Sequence, residues 1–255
     1  MSYSEPRNSA ARQRRSERER EHFDAIASEM RTVWWGSITR AGKLRLQERG
    51  ELAIRRAKLG PGVSVLEPGP GNGEFTSRIA SSGASIVGVE ISPRQQELAK
   101  DALARFPNVQ VIVGDVEEEL KFPDGSFDCV VGNSVLHHLD LNRALPHLYR
   151  VLKPAGRIFF FEPNMLNPQI ALERNIRLLG RRLMNSPDET AFVRWRLARI
   201  LRQFGFVNVD VLPFDFLHPG TPARIMAPIR RLSSILSSTP VVREIAGSLQ
   251  VYAER

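Results

Sequence analysis

Glu67 stands just before three alternate glycines, Gly69, Gly71 and Gly73, in the run Val-Ser-Val-Leu-Glu-Pro-Gly-Pro-Gly-Asn-Gly that begins at Val63. Such glycines are needed where the backbone turns sharply or must lie against a ligand with no Cβ in the way. A dinucleotide fingerprint, Gly-x-Gly-x-x-Gly, seats a pyrophosphate at the N-terminus of the next helix. Here the third glycine comes one residue early, and Glu74 occupies the position that fingerprint requires. A carboxylate in the first turn suits the helix dipole but repels a pyrophosphate. Glu67 points the same way, toward a ligand with a cationic group and no phosphate. Glu90 closes the next apolar run. A carboxylate there can accept hydrogen bonds from both hydroxyls of a ribose, each worth roughly 1.5–3 kcal/mol.

The elements that must position these groups are legible in the same stretch. Val63, Val65 and Leu66 make a strand, and Glu74 to Ala80 has apolar residues at helical spacing. Strand, tight turn and helix place the glycines at the carboxyl end of a strand, where open α/β sheets bind ligands. Ser85–Glu90 reads as a second strand, and Ile91-Ser92-Pro93 opens a helix to about Arg105. Val109–Val113 is a third strand, ending at Gly114-Asp115. Pro123–Ser126 is a turn before a fourth strand, Phe127–Val131. Leu141–Leu152 is an amphipathic helix stopped by Lys153-Pro154-Ala155-Gly156, and Arg157–Glu162 is a fifth strand. Ser186-Pro187-Asp188-Glu189 predicts the start of a helix to about Phe204. Phe206–Phe214 and Ala246–Ala253 read as the last two strands.

Over residues 63–163 the order and spacing of these elements resemble the class I (Rossmann-like) S-adenosylmethionine-dependent methyltransferases, in particular the small-molecule type 11 methyltransferase-domain family. S-adenosylmethionine fits the turn: it carries an ammonium, a sulfonium, a ribose and an adenine, and no phosphate. The resemblance implies an α/β fold with a seven-stranded sheet in the order 3-2-1-4-5-7-6, strand seven antiparallel, a helical N-terminal cap and C-terminal lid insertions. It also implies cofactor contacts. Glu67 and the backbone of Gly69, Gly71 and Gly73 would hold the amino-acid end, and Glu90, with Ile91 beside it, the ribose. Asp115 would reach the adenine amine and the Val116 N–H a ring nitrogen, with Asn133 and Ser134 near the methionine end. His137 is the candidate base for an acceptor hydroxyl, since an imidazole titrates near neutrality; His138 reads as a packing or capping residue. The Asn/Asp-Pro-Pro-aromatic run of amino-directed methylases is replaced by Asn133-Ser134-Val135-Leu136, which disfavours that class.

Composition bounds the rest. With 42% hydrophobic and 25% charged residues the chain reads as globular. Its one cysteine, Cys129, lies mid-strand, so neither a disulfide framework, a thiolate nucleophile nor a metal site is expected. No secretory signal or membrane-spanning run is visible, which favours a cytoplasmic protein. The net charge of +8 is mostly arginine. Residues 1–20 read as a charged leader, disordered at first and then helical. Residues 21–60 read as the helical cap, with Phe23, Ile26, Ala27, Met30, Trp34, Trp35, Leu44, Leu46, Leu52 and Ile54 as its apolar residues. Residues 61–163 read as the cofactor-binding core, and 164–255 as substrate-side insertions and last strands. Arg174, Arg177, Arg181 and Arg182 mark the first insertion. In the second, Ile225, Met226, Ile229, Leu232, Ile235 and Leu236 alternate with Arg224, Arg230 and Arg231. Such a basic amphipathic helix over 224–236 is either a solvated lid or a peripheral contact with anionic membrane; nucleic acid is unlikely on this pattern. The expected activity is methyl transfer to a small-molecule or lipid-like acceptor at oxygen or carbon. A nucleotide-dependent oxidoreductase and a non-catalytic binding module are the alternatives.

Overall fold

The computed structural model describes residues 9–29, 38–118, 120–175 and 190–255. Seven strands form one sheet: β1 (Ser64–Pro68), β2 (Ser85–Glu90), β3 (Val109–Val113), β4 (Phe127–Asn133), β5 (Leu152–Pro163), β6 (Val207–Phe214) and β7 (Ser248–Glu254). Their order is β3-β2-β1-β4-β5-β7-β6, with β7 antiparallel to both neighbours, as the family resemblance implied. The described helices are α1 (Ser9–Glu29), α2 (Arg40–Arg56), α3 (Glu74–Ala80), α4 (Pro93–Leu103), α5 (Leu141–Val151), α6 (Pro168–Asn175), α7 (Arg194–Gln203) and α8 (Ala223–Ser238). None of them is long and apolar enough to cross a membrane.

The period-two alternation of strand side chains sorts the core onto two faces. Leu66, Val130, Ile158 and Phe160 pack with α5 (Leu145, Leu148) and α7 (Leu197, Leu201). Their chain neighbours Val65, Cys129, Val131, Phe159 and Phe161 pack the other way, with Ala53 of α2 and Phe75 and Ile79 of α3. Burial on both faces explains the nearly continuous apolar runs of the central strands. Cys129 is fully buried, and burial pushes its thiol up to about 12, as suits a core residue.

Four details differ from the sequence reading. The first helix begins at Ser9, so residues 9–20 are helical throughout, and from Arg15 onward this segment is tied to the core. Its interleaved charges find fixed partners there, which a disordered leader would lack. In α2 the leucines are only partly buried; the buried residues are Ala41, Gly42, Arg49, Gly50 and Ala53. A Cβ on Gly50 would lie 2.5 Å from Arg78 Cβ, so small residues let α2 sit close against α3. The Lys153–Gly156 segment is a bulge within β5: Phe127 pairs with Leu152, Cys129 with Arg157, and Ala155 takes φ +60°. Residues 190–193 are extended, with Phe192 bridged to Asn164, and helix starts only at Arg194. Met30, Trp34, Trp35, Arg177, Arg181, Arg182 and the cap at 186–189 lie outside the described residues.

Candidate active site

The strand order reverses between β1 and β4. Their pairing is confined to Val65–Cys129 and Leu66–Val130, so the two strands part toward their carboxyl ends. A cavity of ≈500 Å³ opens there, roofed by α1 and flanked by α2 and the loop after β6. This is the switch-point crevice where parallel sheets bind ligands.

The floor is the glycine turn. Gly71 has φ +57° and nothing within 4 Å of where a Cβ would stand, so its surface is open to a ligand. Gly73 has φ +81° and an added Cβ would meet Leu103 Cδ1 at 2.8 Å, so it serves helix packing. The turn is pinned by Glu90, whose two oxygens accept the Gly71 N–H (2.9 Å) and the Ser92 N–H (3.0 Å). Burial raises the Glu90 carboxyl, and those backbone donors oppose the shift. Its place at the tip of β2 matches the sequence reading, but the carboxylate also organises the loop.

Glu67 is buried at the end of β1, and its Oε2 has no hydrogen-bond partner among the described residues. Burial pushes its carboxyl up to about 8; the Thr76 hydroxyl opposes this and the Glu90 charge adds to it. A buried carboxyl oxygen left unsatisfied costs on the order of 1–3 kcal/mol, and its ionised form more. A ligand cation would relieve that cost. Along the same side stand Ile91, Asp115 and Val116. Asp115 Oδ1 accepts the Glu117 N–H at 2.8 Å, which fixes the loop after β3. These residues suit a cofactor with an ammonium, a ribose and an adenine.

The opposite side carries His137 in a short 3-10 turn (Leu136–His138) after β4. Its Nδ1 lies 2.7 Å from Glu162 Oε2. Glu162 also accepts the backbone N–H groups of Val135, Leu136 and His137. One carboxylate at the end of β5 thus fixes both the turn and the ring. His138 faces α1, with Nδ1 3.2 Å from Glu19 and its ring 5.1 Å from that of Phe23, and it also lines the cavity. Ser134, between Asn133 and this turn, holds φ +58°, the kind of local strain found near functional sites.

Several cavity residues were not singled out from sequence. Glu117 is buried between Arg15 (3.1 Å) and Arg143 (3.1 Å) and accepts the Asp140 N–H, joining α1, α5 and the β3 loop. Arg45 and Arg49 reach in from α2, and Asn133 Oδ1 accepts from Arg49 Nη1 at 2.8 Å. The available signal was an arginine at a position sharing the Gly42/Ala53 face of a helix.

Comparison with known proteins agrees with this geometry. Residues 66–160, from β1 to β5, match the family model described as a methyltransferase domain. A demethylmenaquinone methyltransferase of Tropheryma whipplei is 36% identical over 104 residues, 40% of this chain and 42% of that protein. The ubiquinone/menaquinone biosynthesis C-methyltransferase UbiE of Marinomonas sp. is 30% identical over 157 residues, 55% of this chain and 61% of that protein. The chain thus spans about half the length of these curated relatives. A crystal structure of a S-adenosylmethionine-dependent methyltransferase from Thermotoga maritima shares the fold, with a TM-score of 0.62 at 20% identity, covering 92% of this chain and 98% of that one. Residues 66–160 thus carry a methyltransferase domain, set in a sheet with the strand order of the class I S-adenosylmethionine-dependent methyltransferases.

Proposed function

We propose that this protein transfers a methyl group from S-adenosylmethionine to oxygen or carbon of a small-molecule or lipid-like acceptor. The observation that carries the reading is the buried Glu67 Oε2 without a partner beside the open face of Gly71. Glu67 would pair with the cofactor's ammonium, Glu90 and Ile91 would hold the ribose, and Asp115 and the Val116 N–H the adenine. Asn133 would stand near the methionine end. When bound, the cofactor supplies a methyl group made electrophilic by its sulfonium. The chain's part is to align the acceptor with it and to exclude water, for which α1 over the cavity is suited. His137 would take the proton of an acceptor hydroxyl, its ring held by Glu162 as in other carboxylate–histidine pairs. The two relatives named for quinone biosynthesis support an acceptor of aromatic, lipid-like character.

A lipid-like acceptor also accords with α8. Met226 and Ile229 pack on Leu217 and Ala41, while Ile225, Leu232 and Ile235 are exposed alongside Arg224 and Arg231. That face suits peripheral contact with an anionic bilayer.

Calorimetric titration with S-adenosylhomocysteine, and with NADH in parallel, tests the cofactor assignment. Micromolar binding of the first alone is expected; NADH binding alone would overturn it. Glu90→Ala should weaken S-adenosylhomocysteine by roughly 2–4 kcal/mol through lost ribose hydrogen bonds and a loosened loop. Unchanged affinity in the folded variant would remove the ribose role.

A further inference from the structure

The cavity is electrically divided. Its β1–β3 side presents Glu67, Glu90, Asp115 and Glu117, whereas the side formed by α2 and the loop after β6 presents Arg45 and Arg49. Both guanidiniums lean on one oxygen: Asp215 Oδ2 is 2.5 Å from Arg45 Nε and 3.6 Å from Arg49 Nη2. The other oxygen, Oδ1, accepts the Leu217 N–H at 2.9 Å. The remaining Arg49 contacts are neutral: Asn133 Oδ1 at 2.8 Å, Ser248 Oγ at 2.6 Å and the Phe161 ring 5.3 Å from its guanidinium carbon. Its Nε is buried without an acceptor among the described residues. The next carboxylate, Glu162, spends its oxygens on three backbone N–H groups and the His137 ring. Two cations, Arg49 buried and Arg45 partly so, therefore share one carboxylate oxygen. Burial, then the neighbouring Arg45, lowers the Arg49 guanidinium to about 10, against the pull of Asp215 and Glu162.

We infer that Arg45 and Arg49 form a seat for an oxyanion, a carboxylate or phenolate-type group, brought in by the ligands of this crevice. A guanidinium fork matches a two-oxygen anion, and an incoming negative charge completes the neutralisation that Asp215 leaves unfinished. Two ligands could bring that group: the cofactor, through the carboxylate of its amino-acid tail, or the acceptor, through an ionised oxygen. An acceptor held as its oxyanion would be a better nucleophile at that oxygen or at a conjugated carbon. In placing the seat within a methyltransferase crevice the inference rests on the proposed function; its charge arrangement does not.

The test compares wild type, Arg49→Lys and Asp215→Asn by calorimetry, with folding checked by circular dichroism. Asn tolerates the left-handed backbone (φ +73°) at position 215, so that variant removes charge with little change of shape. The probes are S-adenosylhomocysteine, methylthioadenosine (which lacks the amino-acid tail), and benzoate added with methylthioadenosine present. Asp215→Asn should tighten the anionic ligand about tenfold and Arg49→Lys should weaken it at least as much, with methylthioadenosine alone unchanged. A change confined to S-adenosylhomocysteine assigns the seat to the cofactor carboxylate; a change in benzoate assigns it to the acceptor. Asp215→Asn protein that is folded and binds both anions as before, or more weakly, overturns the seat. Wild-type protein that binds neither adenosine ligand overturns the cofactor reading instead, and the benzoate measurement still decides the seat.

Discussion

Glu67 should give up a proton when the cofactor binds. Its carboxyl is raised from 4.5 to about 8, chiefly by burial, so at pH 7 it is about nine-tenths protonated in the free protein. An ammonium placed against Oε2 favours the carboxylate and expels that proton. Binding at pH 7 should therefore release about 0.9 proton from this site, and affinity should rise close to tenfold per pH unit between about pH 5 and 7. Calorimetry in buffers of different ionisation enthalpy reads the proton count directly. Glu90, itself raised by burial, can add to the count, so the decisive quantity is the difference between wild type and Glu67→Gln. The amide should abolish the release and weaken S-adenosylhomocysteine by roughly 1.5–3 kcal/mol, the worth of a charge-assisted hydrogen bond. The same shift acts on the free protein's stability. The folded state resists ionisation that the unfolded chain accepts, so stability is full below about 4.5 and falls as pH rises to about 8. The ceiling is about 5 kcal/mol at about 1.4 per unit, and Glu67→Gln should flatten that slope. Equal proton release in the two proteins would refute the pairing of Glu67 with the ammonium.

Three further outcomes are expected. Gly71→Ala should fold, at a cost of about 1–2 kcal/mol for its left-handed backbone, yet lose cofactor affinity; Gly73→Ala should lose stability by more, because its Cβ meets Leu103. Thermal melts beside titrations separate the two, and equal behaviour would contradict the division of roles. Asp128, held down to about 2 by the Lys153 and Ser64 hydrogen bonds against the opposing effect of burial, contributes stability above about pH 4 that is lost as pH falls toward 2. Asp128→Asn should remove about 1 kcal/mol of that acid dependence in chemical denaturation, after screening. Leu232→Glu with Ile235→Glu should abolish co-sedimentation with vesicles containing phosphatidylglycerol while leaving the melting temperature unchanged; no sedimentation of wild type would remove the membrane contact.

The sequence by itself determined the strands of the sheet and the positions of the acidic residues at their ends. Strand side chains alternate and the crossover connections are local, so Val65, Leu66, Val130 and Phe160 could be assigned to a buried parallel sheet from their runs alone. Glu67, the three glycines and Glu90 are read from neighbours within a few residues, because a tight turn is a local structure whose chemistry travels with it. The basic half was decided by tertiary structure. Arg45 and Arg49 meet Asp215 across 170 and 166 positions of chain, and Ser248 is farther still. The small-residue face of the helix marks Arg45 and Arg49 as turned inward, but not the partner they meet there. That depends on Gly50 letting α2 approach α3, and on β6 and β7 delivering Asp215 and Ser248 to the same edge. The His137–Glu162 pair is similar: each residue was visible, but only the parallel pairing of β4 with β5 brings their ends together. Short-range order is written in spacing, whereas charge balance in a cavity depends on side chains that only the packed sheet assembles.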